Sequence, residues 1–248
     1  MGDDLMNNLE SLQRTPHRLR ALFLLCGGVA FAATSLLLAG CRCRHSGSYG
    51  FDNGNENRDS SGTVRISKMG GDIDVEDAPD GAALNTMGGT IRLKNDGSFA
   101  TVKTMGGNID IGKADGPIDA TTMGGNIRIL AAGDSVHSTT MGGNLSVRLV
   151  PSAAKARHID LSTMGGTVEL IVPKGFPMEI DVELAYTRDS GHKPSIDEPF
   201  GLTHTESSDW DYSHGSPRKY LYAKGKTGTG ENHVTIHGIG GDVTIVQE

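Results

Sequence analysis

Thr104-Met105-Gly106-Gly107-Asn108-Ile109-Asp110-Ile111 is the phrase that decides the fold, because the chain says it again and again. Met-Gly-Gly begins at Met69, Met87, Met105, Met123, Met141 and Met164. The first four steps are 18 residues each and the fifth is 23, with a degenerate seventh copy at Ile239-Gly240-Gly241. A fixed period of this size is the signature of a stacked-repeat architecture.

Alignment on the methionine shows what each repeat contains. Five residues before it stand Val64, Ala82, Ala100, Ile118, Val136 and, in the longer repeat, Ile159; three before it stand Ile66, Leu84, Val102, Ala120, Ser138 and Leu161. Four after it stand Ile73, Ile91, Ile109, Ile127, Leu145 and Val168; six after it stand Val75, Leu93, Ile111, Ile129, Val147 and Leu170. Both flanks alternate with period two and are rich in β-branched residues, so each is a short strand with one buried face. Turn formers such as Asp80-Gly81, Asp96-Gly97 and Asp115-Gly116-Pro117 join them. Two strands and two turns in 18 residues make one coil. The expectation is an all-β, parallel β-solenoid of about seven or eight coils, spaced about 4.8 Å apart. His233–Ile245 repeats the same grammar and reads as the last coil. Five after the methionines, Asp74, Arg92, Asp110 and Arg128 alternate in sign, which favours stacking between neighbouring outward positions.

The phrase resembles a bacterial family of adhesin-like domains of unknown function, which carry a repeated Ser/Asn-Gly-Asp-Ile motif. Thr104–Ile109 and Gly240-Gly241-Asp242-Val243 carry the likeness, which covers roughly residues 63–248. The chain departs from the pattern by placing Met-Gly where such domains often have Val-Asn or Ser-Ser. The resemblance implies a β-solenoid with an adhesive role.

The N-terminus has a different character. Arg14, His17, Arg18 and Arg20 precede an apolar run from Ala21 to Leu38, which reads as a secretory signal covering residues 1–40. It ends in Leu38-Ala39-Gly40-Cys41, which resembles the lipobox of bacterial lipoproteins. That resemblance implies acyl chains on Cys41, a membrane anchor and residence in the cell envelope. Arg42 after the cysteine leans towards the outer membrane where a cell has two. A signal-anchor helix with a coincidental cysteine is the other reading, since 18 mostly apolar residues nearly span a bilayer. Residues 41–61 are polar and rich in Gly, Asn and Ser and read as a flexible tether. The domain proper is expected over 62–248.

Composition narrows the function. The 248-residue chain carries a formal charge of −7 with 5% aromatic residues, the opposite of the basic stripe that nucleic acid requires. Of the three cysteines, Cys26 lies in the apolar run, Cys41 closes it and only Cys43 is left over, so no disulfide framework exists. No phosphate loop, Gly-x-Ser-x-Gly or His-Glu-x-x-His occurs, and no cofactor or catalytic residue is assigned.

Three places could carry chemistry. The methionine column reads as a soft-metal track, since thioethers suit Cu(I), as an adhesive apolar stripe, or as a buried corner ladder. Alternation counted forward from the upstream strand points Met outward; counted back from Ile109 it points Met inward. The buried ladder is the expectation, because a large exposed apolar patch is uncommon without a partner. Asp72, Asp74, Glu76, Asp77 and Asp80 suggest calcium, but the cluster is not repeated down the stack and reads as an acidic turn, so no metal site is assigned. The third place is residues 186–230, expected as a long irregular insert after the strand Met178–Leu184. It holds Phe200, Trp210, Tyr212, Tyr220 and Tyr222, an aromatic group in a chain otherwise nearly free of them. A cap over the solenoid end and a binding loop for an envelope glycan or another envelope protein are both open to it. The function expected is therefore a non-enzymatic, membrane-tethered adhesive or scaffolding module. The alternatives are an envelope carbohydrate-active enzyme using an acid pair such as Glu206 and Asp209, and an envelope-stress sensor.

Overall fold

The computed structural model describes residues 57–248, apart from Lys155 and His214. The expected signal, the lipobox at Cys41 and most of the tether lie outside the described residues.

Each 18-residue repeat forms one coil of two strands. A two-residue strand β1 (Asn57–Arg58) runs antiparallel to the first long strand. The coils follow: β2 (Val64–Lys68) with β3 (Ile73–Ala78), β4 (Ala82–Thr86) with β5 (Ile91–Asp96), and β6 (Ala100–Thr104) with β7 (Ile109–Ala114). Then come β8 (Ile118–Thr122) with β9 (Ile127–Ala132), β10 (Val136–Thr140) with β11 (Leu145–Leu149), and β12 (His158–Thr163) with β13 (Val168–Val172). The rest of the chain adds β14 (Met178–Thr187), β15 (Ile196–Asp197), β16 (Thr203–Glu206), β17 (Arg218–Thr227), β18 (Asn232–Ile239) and β19 (Val243–Gln247). Among the described residues no helix is long and apolar enough to cross a membrane.

First strands stack into one sheet in the order β1-β2-β4-β6-β8-β10-β12-β18-β14-β17-β16, and second strands into another, β15-β19-β13-β11-β9-β7-β5-β3. The fold is thus a parallel β-solenoid of eight coils. Pairing keeps the repeat in register: Leu84 faces Val102, and Val102 faces Ala120. The inward columns read from the sequence are the core, with Leu84, Val102, Ile109, Ile111, Leu145 and Leu170 all at most 1% exposed. Removing each such side chain from water contributes about 1.5–3 kcal/mol.

Two elements differ from expectation. The region 186–230 is irregular only in part: its middle is mostly loop, but β14 continues to Thr187, and the ten-residue β17 pairs antiparallel along its whole length, with β16 beyond it. The hairpin extends the first sheet past the last coil and so caps that end. The second difference is order. The grammar of the last coil in sequence, β18 with β19, holds as read, but this coil is the seventh in space. It inserts between β12 and β14, parallel to both. Asn232, 5% exposed, fastens it on both sides: its Oδ1 accepts from the Arg157 N–H at 3.0 Å and its Nδ2 donates to the Pro177 carbonyl at 2.7 Å.

The longer fifth step is a loop at 150–157. Arg157, 3% exposed, plugs it, donating to the carbonyls of Val150 (2.9 Å) and Gly133 (3.3 Å) and lying over the Phe176 ring.

Candidate functional site

The corner carrying the Met-Gly-Gly repeats has three layers of side chains. Innermost is threonine. Thr86, Thr104, Thr122, Thr140 and Thr163 continue the inward alternation of the first strands and are at most 4% exposed. Each hydroxyl donates to a glycine carbonyl of the coil before it, as Thr122 does to Gly107 at 2.9 Å and Thr140 to Gly125 at 2.8 Å. From Thr104 onward each also accepts the N–H of its own second glycine, as from Gly125 at 3.3 Å and Gly143 at 3.2 Å. Backbone groups buried at a bend require such partners, and a thioether cannot supply an O–H.

The second glycine comes next. A Cβ on Gly107, Gly125, Gly143 or Gly166 would lie closer than 3.0 Å to the carbonyl of the matching glycine one coil back. Only glycine fits there. Beyond it an Asx ladder closes the turn: Asp72 accepts from the Thr90 N–H, Asn108 from Asn126, Asn126 from Asn144, and Asn144 from Thr167, at 2.8–2.9 Å. Asp242 does the same for Ser195 at 2.7 Å, which with bonds from Ser195 Oγ and His192 holds its carboxyl below the usual range.

Outermost is methionine, and here the expectation of a buried ladder is overturned. Met69 is 84% exposed, and Met87, Met105, Met123, Met141 and Met164 are 45–50% exposed. The parity slip falls after the methionine, at the Gly-Gly bend, because the inward place before it is taken by the hydroxyl the bend needs. The six methionines leave the backbone in one row at the strand spacing of about 4.8 Å. Met69, at the open end of the row, is far more exposed than the other five, so the inner methionines shelter one another side by side.

The first glycine is a separate case. At Gly70, Gly88, Gly106, Gly124, Gly142 and Gly165 an added Cβ would meet nothing closer than 3.5 Å, and none has a left-handed φ. The fold does not require glycine there. Its effect is a bare backbone strip beside the methionine row.

The aromatic residues of the C-terminal hairpin do not form one platform. Tyr220 and Tyr222 stack at 6.2 Å on one face of β17. Lys219, on the opposite face by strand alternation, lies over Trp210 at 5.6 Å, joined there by Arg188 at 5.0 Å and the edge of Tyr186 at 5.7 Å. Tyr212 is exposed at the tip and accepts from Arg188 at 3.2 Å, whereas Phe200 packs half-buried on the core. Glu206 accepts from Tyr186 Oη at 2.5 Å and Lys193 Nζ at 2.7 Å. The lysine, then the phenol, hold its carboxyl below the ordinary range, and the same bond pushes Tyr186 up to about 12. Asp209 accepts from its neighbour Ser208. The cleft between Ile196, His204, Glu206, Leu221 and Tyr222 encloses about 270 Å³, below the usual size of a small-molecule site.

The acidic turn is accounted for by the next coil. Asp74 pairs with Arg92 at 3.1 Å, Glu76 with Lys94 at 2.6 Å, and Asp77 accepts from Asn95 at 2.8 Å. Among the described residues no group of three His, Cys, Asp or Glu is placed to hold a metal ion.

One buried group escaped the sequence reading. Asp96, 3% exposed, replaces alanine in the inward column Ala78, Ala114, Ala132. Burial pushes its carboxyl up to about 6 against a partial offset from the Ser98 N–H, and neither oxygen has a well-formed partner. The signal was an acid in a column of alanines.

Compared with family models, with curated proteins and with solved structures, the chain finds no match.

Proposed function

We propose that the chain is a non-enzymatic, membrane-tethered module of the cell envelope that binds through the methionine edge of its solenoid. The observation that carries this reading is the outward row of six methionines. An apolar row of this length, half-exposed beside a bare glycine strip, amounts to several hundred Å², the size at which surface patches are commonly functional. Its flexible thioethers adapt to an uneven partner. The basic and apolar leader ending in Leu38-Ala39-Gly40-Cys41 supports export and anchoring, with the solenoid presented to an envelope glycan or another envelope protein. The split aromatic hairpin is read as the cap.

The test is binding of the full chain, purified in detergent, to isolated cell walls, envelope polysaccharide and envelope membranes. Retention that is lost when Met87, Met105, Met123 and Met141 are all changed to Ser is the expected result. Absence of binding to all three fractions overturns the adhesive reading. Palmitate labelling that persists in Cys41→Ala, or never occurs, removes the lipid anchor.

A further inference from the structure

The columns of the solenoid vary to very different degrees. Inward positions drift freely among apolar types: Val64, Ala82, Ala100, Ile118, Val136, Ile159 in one column and Ile66, Leu84, Val102, Ala120, Ser138, Leu161 in the next. The repeats have therefore diverged. The outward charge column has diverged as well, through Asp, Arg, Ser and Glu. The methionine column holds through six successive coils and gives way to Ile239 only in the seventh, although it is exposed and no core packing dictates it. If only greasiness mattered, Leu, Ile or Val would serve in the six coils as they do inside, and as Ile239 does in the coil that ends the row. What distinguishes methionine from leucine is the sulfur.

The spacing suits that sulfur. Neighbouring coils place the methionine backbones about 4.8 Å apart. A metal–sulfur bond of about 2.3 Å means that two thioethers about 4.6 Å apart bracket one ion. The thioether is a neutral soft donor that selects Cu(I) over hard or borderline cations. The bare strip formed by Gly88, Gly106, Gly124 and Gly142 leaves room for the side chains to swing together, so a third methionine can join a pair. Three rotatable bonds per side chain permit this without backbone movement.

We infer that the methionine row is a binding site for a soft monovalent cation, Cu(I) or its redox-inert analogue Ag(I), held by thioethers of two or three successive coils. The inference rests on the same exposed row as the proposed function but not on adhesion or location. The ligands are all neutral, so binding releases no protons and is flat with pH, unlike a thiolate or imidazole site.

The experiment is titration of the full chain with silver nitrate in chloride-free buffer. The background is Cys26→Ser, Cys41→Ser and Cys43→Ser, which removes thiols that would take the metal first. Methyl-¹³C methionine spectra and isothermal titration are the readouts. The expected result is a shift of the Met87, Met105, Met123 and Met141 methyl signals, an unmoved Met178 signal, and an affinity at least as tight as about micromolar. Changing those four methionines to Leu keeps the apolar row, the fold and any adhesive binding, and is expected to weaken Ag(I) binding at least about tenfold. An unaltered melting transition shows that the Leu variant is folded. Methyl signals that do not move, or silver binding unchanged in the Leu variant, overturn the inference. Envelope binding lost equally to Leu and Ser, with no silver effect, overturns the metal site while leaving the adhesive reading intact. Silver binding without any envelope binding does the reverse.

Discussion

Between Val64 and Val172 the chain lays each coil on the one before it, and every contact between first strands spans one repeat. From Met178 onward it skips a place, builds β14, β17 and the cap, and only then returns to fill the gap with β18 and β19. The two regions share one core and one register, but they differ in what closes them. In the first, each coil is held by the coils just before and just after it in sequence. In the second, β14 pairs with the stack through β18, from Met178↔Asn232 to Ala185↔Ile239, and β17 pairs in turn with β14. Repeat proteins gain stability from nearest neighbours, and here the nearest neighbour in space is distant in sequence.

Ending the chain at Gly230 separates the two regions most. That deletes Val234, Ile236, Val243 and Ile245, each at most 2% exposed. At about 1.5–3 kcal/mol per side chain the loss is about 6–12 kcal/mol. Hydrogen exchange is expected to show β14 and β17 unprotected while β4 to β11 stay protected. Protection retained in β14 would mean that the cap folds without its bridging coil.

Gly107→Ala drives a Cβ into the Gly89 carbonyl and is expected to cost about 3 kcal/mol or more in urea unfolding. Gly106→Ala, one residue away, meets only the Met87 carbonyl at 3.9 Å, an ordinary contact, at an ordinary φ. It is expected to be neutral, or to stabilise by about 0.5 kcal/mol through the unfolded chain. Equal effects at the two positions would contradict the geometry of the corner.

Much of this was legible in the sequence. The period, the inward columns and the alternating charges follow from strand alternation, which needs no tertiary knowledge. The place of β18 does not, because its residues satisfy the same coil grammar in the seventh slot as they would in the eighth. The buried end of Asn232 is the lock, and an asparagine before a strand has no local mark of that role. Met69 to Met164 were misplaced for a different reason. Two alternations met at Gly-Gly, and only the hydroxyl requirement of the bend decides which one ends there. Cys41 and the leader lie outside the described residues.

Asp96 offers a gain rather than a loss, again inside the regular stack. Its folded carboxyl titrates near 6, raised from the ordinary 3.8, so the folded state binds the proton more tightly than the unfolded one. The contribution of Asp96 to native stability is therefore full below about pH 4 and is lost as pH rises through about 6, by about 3 kcal/mol in all. Asp96→Ala restores the alanine of the adjoining coils. It is expected to stabilise by about 2–3 kcal/mol at pH 8 and by little at pH 4, measured by urea midpoints at both values. A gain that does not shrink with acid would assign the effect to packing rather than to charge.

The smallest effect on stability and the largest consequence for function belong to the methionines. Peroxide transfers one oxygen to an accessible thioether and leaves a sulfoxide, at a rate that follows exposure. Mass spectrometry of the folded chain is expected to find Met69 oxidised first, Met87 to Met164 next and together, and Met178, fully buried in the C-terminal region, only on unfolding. Because the row faces solvent, its oxidation is expected to move the melting temperature by less than about 2 °C, a change within the small range of surface substitutions. The same sulfoxides are expected to abolish silver binding, since a soft sulfur donor has become a hard oxygen one. Slow oxidation of Met87 to Met141, at the pace of Met178, would place the row inside the protein. The binding edge and the thioether site would then fall together, because both depend on those sulfurs being reached from outside.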